Sequence, residues 1–223
     1  MLQQSITAQP FNLPAECNII TTPLKYQEWV QALQYHPDHF FASYITEGIR
    51  FSFRLGYQHS THTCKSAHTN MPLARANPGP VQDYLSAELV VGRVVPFRGK
   101  ASAPIHISPF GVIPKANQPG AWRLILDLSH PSGFSVNDGI PRELCTLKYP
   151  TIEDAISRIM AYGKGALLAK IDIKHAFRNI PVHPHDRPLL GMEWGVQTLI
   201  DTVLPFGLRS APKIFSAVAV ALE

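Results

Sequence analysis

Cysteine is scarce in this chain. Cys17, Cys64 and Cys145 are the only three, they are widely spaced, and none forms a CxxC pair. That usage fits a reducing compartment and argues against a zinc ribbon, so the three read as ordinary thiols. Long hydrophobic runs are also missing. The stretch Ala166-Leu167-Leu168-Ala169 stops at Lys170, well short of the roughly 20 residues that span a bilayer. No transmembrane helix and no membrane partner are expected. The N-terminus, Met1-Leu2-Gln3-Gln4-Ser5, has neither the basic start nor the apolar stretch of a secretory signal, which predicts an intracellular protein of the cytoplasm or nucleus. Nor is there a strong excess of one charge. Twenty basic residues stand against 16 acidic ones, for a net charge of +4 and a pI near 9.0. This is compatible with a polyanionic partner. The surplus is spread over the chain, without a basic tail or a one-sided block. Internal repeats and low-complexity tracts are absent.

What is present is enough apolar residue, 45% of 223, to bury a real core. Twenty prolines divide the chain into short elements. Thr22 and Pro23 suit the start of a helix carrying Tyr26, Trp29, Val30 and Leu33, which His36-Pro37 ends. A second helix is expected from Asp38, with Phe40, Phe41, Tyr44 and Ile45 as its stripe. From Ile49 to Leu55 apolar residues alternate with Arg50, Ser52 and Arg54, the pattern of a half-buried strand, with a helix continuing past Gly48 as the alternative. A polar stretch near 57–80 reads as a linker. A third helix follows, from Asn77-Pro78 to Gly92, with Val81, Leu85 and Leu89 along one face.

Strands near His106–Pro114 and Trp122–Leu128 flank the turn Asn117-Gln118-Pro119-Gly120 and form a predicted hairpin. A helix over Thr151–Met160, a strand over Leu167–Ile173, strands near Leu189–Trp194 and Thr198–Val203, and a closing helix over Ala211–Leu222, capped by Ser210, complete the pattern. The mixed order indicates an α+β fold. It divides into a mainly helical leader, 1–104, and a second region, 105–223.

The stretch richest in chemistry is Lys170-Ile171-Asp172-Ile173-Lys174-His175-Ala176-Phe177. A carboxylate at the end of an apolar strand is a natural ligand for a hard metal, although a lone Asp there more often caps a turn. His59, His62, Cys64 and His68 match no standard ligand spacing and read as surface loop. His183 and His185 sit among prolines and read as an exposed turn.

Four segments in order carry more information than any one of them. Phe110-Gly111-Val112-Ile113-Pro114-Lys115, Trp122-Arg123-Leu124-Ile125-Leu126-Asp127-Leu128, Lys170 to Phe177, and Leu204-Pro205-Phe206-Gly207-Leu208-Arg209-Ser210-Ala211-Pro212 resemble the reverse transcriptases of retroelements over roughly 105–223. Thr22-Pro23-Leu24 and Gly79-Pro80-Val81 are similar to the leader of tyrosine-recombinase (DIRS-type) retrotransposons.

The resemblance implies the fingers and part of the palm of a right-hand polymerase, RNA template, DNA primer and deoxynucleoside triphosphate as partners, and two Mg²⁺ ions in the complete enzyme. Downstream RNase H or recombinase domains are possible in such an element. The resemblance also implies roles for particular residues. Asp172 would be the catalytic metal ligand, joined by the backbone carbonyl of Ile173. Lys115 and Arg123 would hold the triphosphate. Phe177 would be the steric gate that favours deoxynucleotides. Phe206 and Gly207 would form the turn beneath the nucleotide, and Arg209 and Lys213 would meet nucleic-acid phosphates. Asp127 falls on the fingers carboxylate, while Ser129 replaces the Arg usual two residues later. The family's adjacent aspartate pair has no counterpart, since the chain contains no Asp-Asp. The expectation is therefore a chain truncated before that motif, whose alternative reading is a catalytically incomplete fragment or relic that binds nucleotide or nucleic acid.

Overall fold

The computed structural model describes residues 22–58, 69–98, 105–116 and 118–222. Helix α1 (Tyr26–Leu33) starts later than Thr22-Pro23 predicts. Thr22 Oγ1 instead donates to the carbonyl of Asn179 at 2.7 Å. Helix α2 (His39–Phe51) is capped as expected, with Asp38 Oδ1 accepting from the Phe41 amide at 2.9 Å. It runs through Gly48, so the strand expected from Ile49 does not form. A Cβ on Gly48 would lie 2.2 Å from the Phe53 ring, and its absence lets that ring fold back on the helix. Only Phe53 reaches a strand-like pairing, a parallel bridge to Val182.

Helices α3 (Pro72–Ala76) and α4 (Pro78–Val90) follow. The face Val81, Leu85 and Leu89 of α4 is buried, as spacing by four requires. Of the expected polar linker, residues 59–68 lie outside the described residues. The part from 69 onward is tied down: the Met71 amide donates to the Phe110 carbonyl at 2.9 Å, and Asn70 Oδ1 accepts from the Phe110 amide at 3.0 Å.

Strands β2 (Phe110–Pro114) and β3 (Trp122–Leu126) form the predicted antiparallel hairpin, with Pro114 opposite Trp122. Strands β4 (Gly191–Trp194) and β5 (Gln197–Asp201) form a second one, turning through Gly195-Val196. Gly195 has φ 59°, the positive value a two-residue turn needs at its first central position. A short strand that the pattern does not mark, β1 (Val94–Pro96), completes a sheet of order β1-β5-β4. Helix α5 (Ile152–Tyr162) begins with a reciprocal capping box between Thr151 and Asp154. Helix α6 (Ala211–Val220) closes the described chain. The Ser210 side chain makes no cap there; its Oγ is buried without a hydrogen-bond partner.

The strand expected over 167–173 is not formed. No strand among the described residues lies beside it, so its amides and carbonyls have no ladder to join. The segment runs along the surface instead, with Leu167, Leu168 and Ile171 exposed. The main core joins both sides of position 104, packing Ile45, Leu85 and Leu89 with Phe110, Leu126, Met192, Leu204 and Ile214. No helix among the described residues is long and apolar enough to cross a membrane.

Behind the strandless segment lies a buried ionic network. Arg178, in the 3₁₀ turn Ala176–Asn179, is 4% exposed. Its Nε and Nη2 donate to Glu88 Oε2 of α4 at 3.1 and 2.6 Å. Its Nη1 lies 2.5 Å from Asp201 Oδ1 of β5, an ion pair without hydrogen-bond alignment, since that oxygen has no hydrogen-bond partner. Arg93 Nη1 reaches Glu88 Oε1 at 3.4 Å. Burial alone would lower the Arg178 pKa; Asp201, Tyr84 and Glu88 outweigh it and raise it instead. Burial pushes Asp201 up to about 6, against the pull of Arg178.

The β2–β3 hairpin, already joined to Asn70 and Met71 through Phe110, also meets the loop after β5. Gly207, at φ +102°, lies so close to β3 that a Cβ would sit 2.2 Å from the Leu126 carbonyl oxygen. Asn137 Nδ2 donates to the Gly207 carbonyl and to Ser129 Oγ, both at 2.9 Å, while its Oδ1 accepts from the Arg209 amide at 2.8 Å.

Gly207→Ala is expected to cost about 1–3 kcal/mol, because both the positive φ and the backbone contact resist a methyl group; the midpoint of urea unfolding measures it. Asp201 yields a prediction in pH. Its pKa is raised on folding from 3.8 to about 6, so between those values the native state binds the proton more readily than the unfolded state does. Its burial cost is then present above that window and relieved as the pH falls through it. The stability of wild type minus that of Asp201→Asn is expected to rise from pH 7 to pH 4 in chemical denaturation. A flat or falling difference removes this account of Asp201.

Candidate functional site

The two hairpin cations and the central aspartate come from elements far apart in the chain, and they meet at one cleft. Lys115 follows β2, where its amide donates to the Ala121 carbonyl at 2.8 Å and closes the turn. Arg123 stands in β3 opposite Ile113. Across from them Asp172 and Ile173 arrive on the segment that precedes the Arg178 turn. Lys115, Arg123, Asp172, Ile173 and Phe206 all line this cleft, with Tyr84, Glu88, Trp122, His175 and Arg178. Its volume is about 730 Å³, within the roughly 300–1,000 Å³ of small-molecule sites.

The charges in the cleft are unequally free. Glu88 is matched by Arg178 and Arg93, whereas Asp172 is exposed. Lys115, Arg123 and Lys174 supply cations from the lining. His175 is held in a left-handed conformation at φ 59°, and desolvation together with Arg93 lowers its pKa, which favours the neutral ring near pH 7.

An aromatic column supports one wall. The Arg123 guanidinium lies 5.1 Å from the centroid of the Phe206 ring, within cation–π range. Phe206 packs on Phe177 at 5.5 Å, and Phe177 meets Phe215 of α6 edge-on at 5.6 Å. Phe177 thus stands one layer behind Phe206, outside the lining residues. Gly207 is turned toward the Leu126 carbonyl rather than toward the cleft.

The two other cations singled out in the sequence lie elsewhere. Arg209 Nη1 donates to the carbonyls of Asn137 and Ile140, the latter at 2.8 Å. Lys213 lines a separate groove of about 390 Å³ with Phe41, Tyr44, Leu147 and Val220. Asp127 Oδ1 accepts from the Ser129 amide at 3.2 Å, the local turn its side chain favours. His183 and His185 stack edge-on at 5.0 Å; His59, His62, Cys64 and His68 lie outside the described residues.

Sequence reasoning missed Glu88, Arg178, Tyr84 and His175 as cleft residues. Arg178 directly follows Phe177 and Glu88 adjoins Leu89 of an apolar helix face, but neither position signals a partner 90 residues away.

Among the described residues, no group of three or more His, Cys, Asp or Glu side chains gathers as a metal site. Asp172 is exposed in the cleft lining beside Ile173, and a single carboxylate is within the usual mode of Mg²⁺, which takes one or two carboxylates completed by substrate phosphates and water.

No protein-family model matches the chain. The genome polyprotein of Petunia vein clearing virus (isolate Shepherd) is 25% identical over 103 residues, which is 46% of this chain and 4% of the polyprotein. Among solved structures, a foamy viral protease-reverse transcriptase in complex with double-stranded DNA superposes with TM-score 0.55 at 16% identity, covering 96% of this chain and 37% of that one. Native prototype foamy virus protease-reverse transcriptase gives TM-score 0.53 at 20% identity, covering 96% and 28%. The chain covers 4% of that polyprotein and 37% and 28% of those two structures, and the fold it shares with the two structures is reverse-transcriptase-like.

Proposed function

We propose that the cleft binds a deoxynucleoside triphosphate, and that the chain serves template-directed DNA synthesis on RNA or DNA within a retroelement polyprotein of the tyrosine-recombinase kind. The observation that carries this reading is the convergence of Lys115, Arg123, Asp172 and Phe206 on one cleft. In this reading β2–β3 belongs to the fingers, and the segment from Asp172 to α6 to the front of the palm. Lys115 and Arg123 offset the charge of the β- and γ-phosphates, one as a point charge and one as a planar fork. Asp172 and the Ile173 carbonyl would hold Mg²⁺, and the ion would supply Lewis-acid stabilisation of the phosphate charge.

Phe206, backed by Phe177, forms an apolar floor under the sugar that offers no acceptor to a 2′-hydroxyl. Lys213, exposed on the first turn of α6, suits a template or primer phosphate, and Arg209 orders the loop before it. A nucleic-acid partner is supported by the DNA-bound foamy viral structure of the same fold.

A second reading, binding without chemistry, is favoured by one feature. Among the described residues of the cleft lining, Asp172 is the single carboxylate not taken up by arginine, whereas two-metal phosphoryl transfer needs several.

Titration with Mg²⁺·dATP is expected to show binding. Lys115→Ala/Arg123→Ala should weaken it about 100-fold, at about 1.5 kcal/mol for each charge-assisted contact. No binding by wild type would refute the reading. Phe177→Ala should narrow the preference for dATP over ATP through a less firmly backed Phe206; an unchanged ratio removes that role. In primer extension on an RNA template, the 223-residue chain is expected to be inactive. Extension that survives Asp172→Ala would take the metal-ligand role away from Asp172.

A further inference from the structure

The segment that carries Asp172 has no secondary structure of its own to hold it. Residues 166–173 join neither helix nor ladder, so the place of the Asp172 carboxylate depends on what fixes the chain immediately after it. Thr22 Oγ1 holds the far end of the turn through the Asn179 carbonyl at 2.7 Å, and four contacts act nearer the segment. The Ala176 amide donates to the Ile173 carbonyl at 3.3 Å, and Asn179 Nδ2 donates to the Lys174 carbonyl at 3.0 Å. Both are internal to the turn and leave it free to move as a unit. Phe177 packs on Phe206 and Phe215. The fourth contact is Arg178, whose guanidinium spans α4 and β5 through Glu88 and Asp201.

We propose, on the nucleotide reading of the cleft, that Arg178 is a positioning residue for Asp172: by locking the turn 173–179 to α4 and β5, it sets the carboxylate opposite Lys115 and Arg123. Two nitrogens of one planar group donate to Glu88 while the third is ion-paired with Asp201, so the Glu88 bonds fix orientation and the Asp201 pair adds charge on the opposite side. An ammonium has one nitrogen and no plane, so lysine can keep the charge balance and lose the orientation. A network of two arginines and two carboxylates buried side by side adds little net stability compared with apolar packing, but it admits few alternative arrangements. Glu88 and Arg178 themselves line the cleft, so a shift of the turn is felt at the site directly.

A double-mutant cycle on the full chain tests this. Mg²⁺·dATP affinity is measured for wild type, Arg178→Lys, Asp172→Asn and the double variant, below the melting temperature of each. Inorganic tripolyphosphate without Mg²⁺, measured with Lys174→Ala present in every variant, serves as a probe of Lys115 and Arg123. Arg178→Lys is expected to weaken Mg²⁺·dATP on the order of tenfold, as a small displacement of a contacting group does. It should leave tripolyphosphate affinity unchanged and cost nothing further in the Asp172→Asn background, because the two residues act as a unit.

An equal loss in both backgrounds, or no loss in either, overturns the positioning role while leaving the nucleotide reading intact. Absence of Mg²⁺·dATP binding by wild type overturns both. If Arg178→Lys does not fold, Glu88→Gln, nearly isosteric and on α4, takes its place in the cycle with the same expected non-additivity. An additive result there counts against Arg178 equally.

Discussion

A buried guanidinium can be accommodated in only a few ways, and Arg178 uses one that ties three elements together. Its charge needs carboxylates within reach, and the two available come from α4 and β5. Once the turn 176–179 is drawn between them, the helix face Val81, Leu85 and Leu89 packs on the same core as β4 and β5. The gain is mostly in definition: removing one partner of such a network strands a buried charge, at about 3–5 kcal/mol, although the intact network adds little net stability. Cleft geometry and core geometry are therefore set by the same contact.

The opposite wall depends on a different kind of fit. The hairpin β2–β3 reaches the body through Asn70 and Met71 at Phe110 and through the close backbone approach of Gly207 to Leu126, while Asn137 bridges the 129, 207 and 209 positions beside it. These contacts are neutral and short-ranged, and among the described residues Lys115 and Arg123 form no ion pair with a carboxylate. The column Arg123–Phe206–Phe177–Phe215 then links that wall to α6. A cleft assembled this way has Lys115 and Arg123 on the hairpin, Asp172 and Lys174 on the segment before the Arg178 turn, and the Phe206 ring between. The proposed nucleotide reading rests on this arrangement.

Helix α5 shows what local signals achieve without tertiary support. Its capping box and the glycine at φ 78° that follows Tyr162 are sufficient to start and stop it. Yet Ile152, Ile156, Ile159 and Met160 remain exposed, as do Leu167, Leu168 and Ile171 next in the chain. The helix forms because its hydrogen bonds are internal, whereas the neighbouring segment has strand composition and no partner to pair with. Helix and strand propensity differ in this respect: one is satisfied within the segment, the other only between segments.

That difference also sorts what the sequence determined from what the tertiary structure decided. Helices α2 and α4, the turn between β2 and β3, and the β4–β5 hairpin were legible because caps, prolines, glycines and spacing by four or two act within a few residues. The candidate residues Lys115, Arg123, Asp172 and Phe206 were legible from ordered motifs, and the fold brings them to one cleft. The sequence left open whether α2 runs on past Gly48, and it could not show that Thr22 spends its hydroxyl on Asn179 instead of a helix start or that 167–173 pairs with no strand among the described residues. Nor could it pair Arg178 with Glu88 and Asp201, or turn Gly207 toward Leu126. Each of these depends on a partner distant in the chain, and periodicity carries no information about which distant group will fill a hydrogen bond, balance a buried charge or leave a backbone edge open.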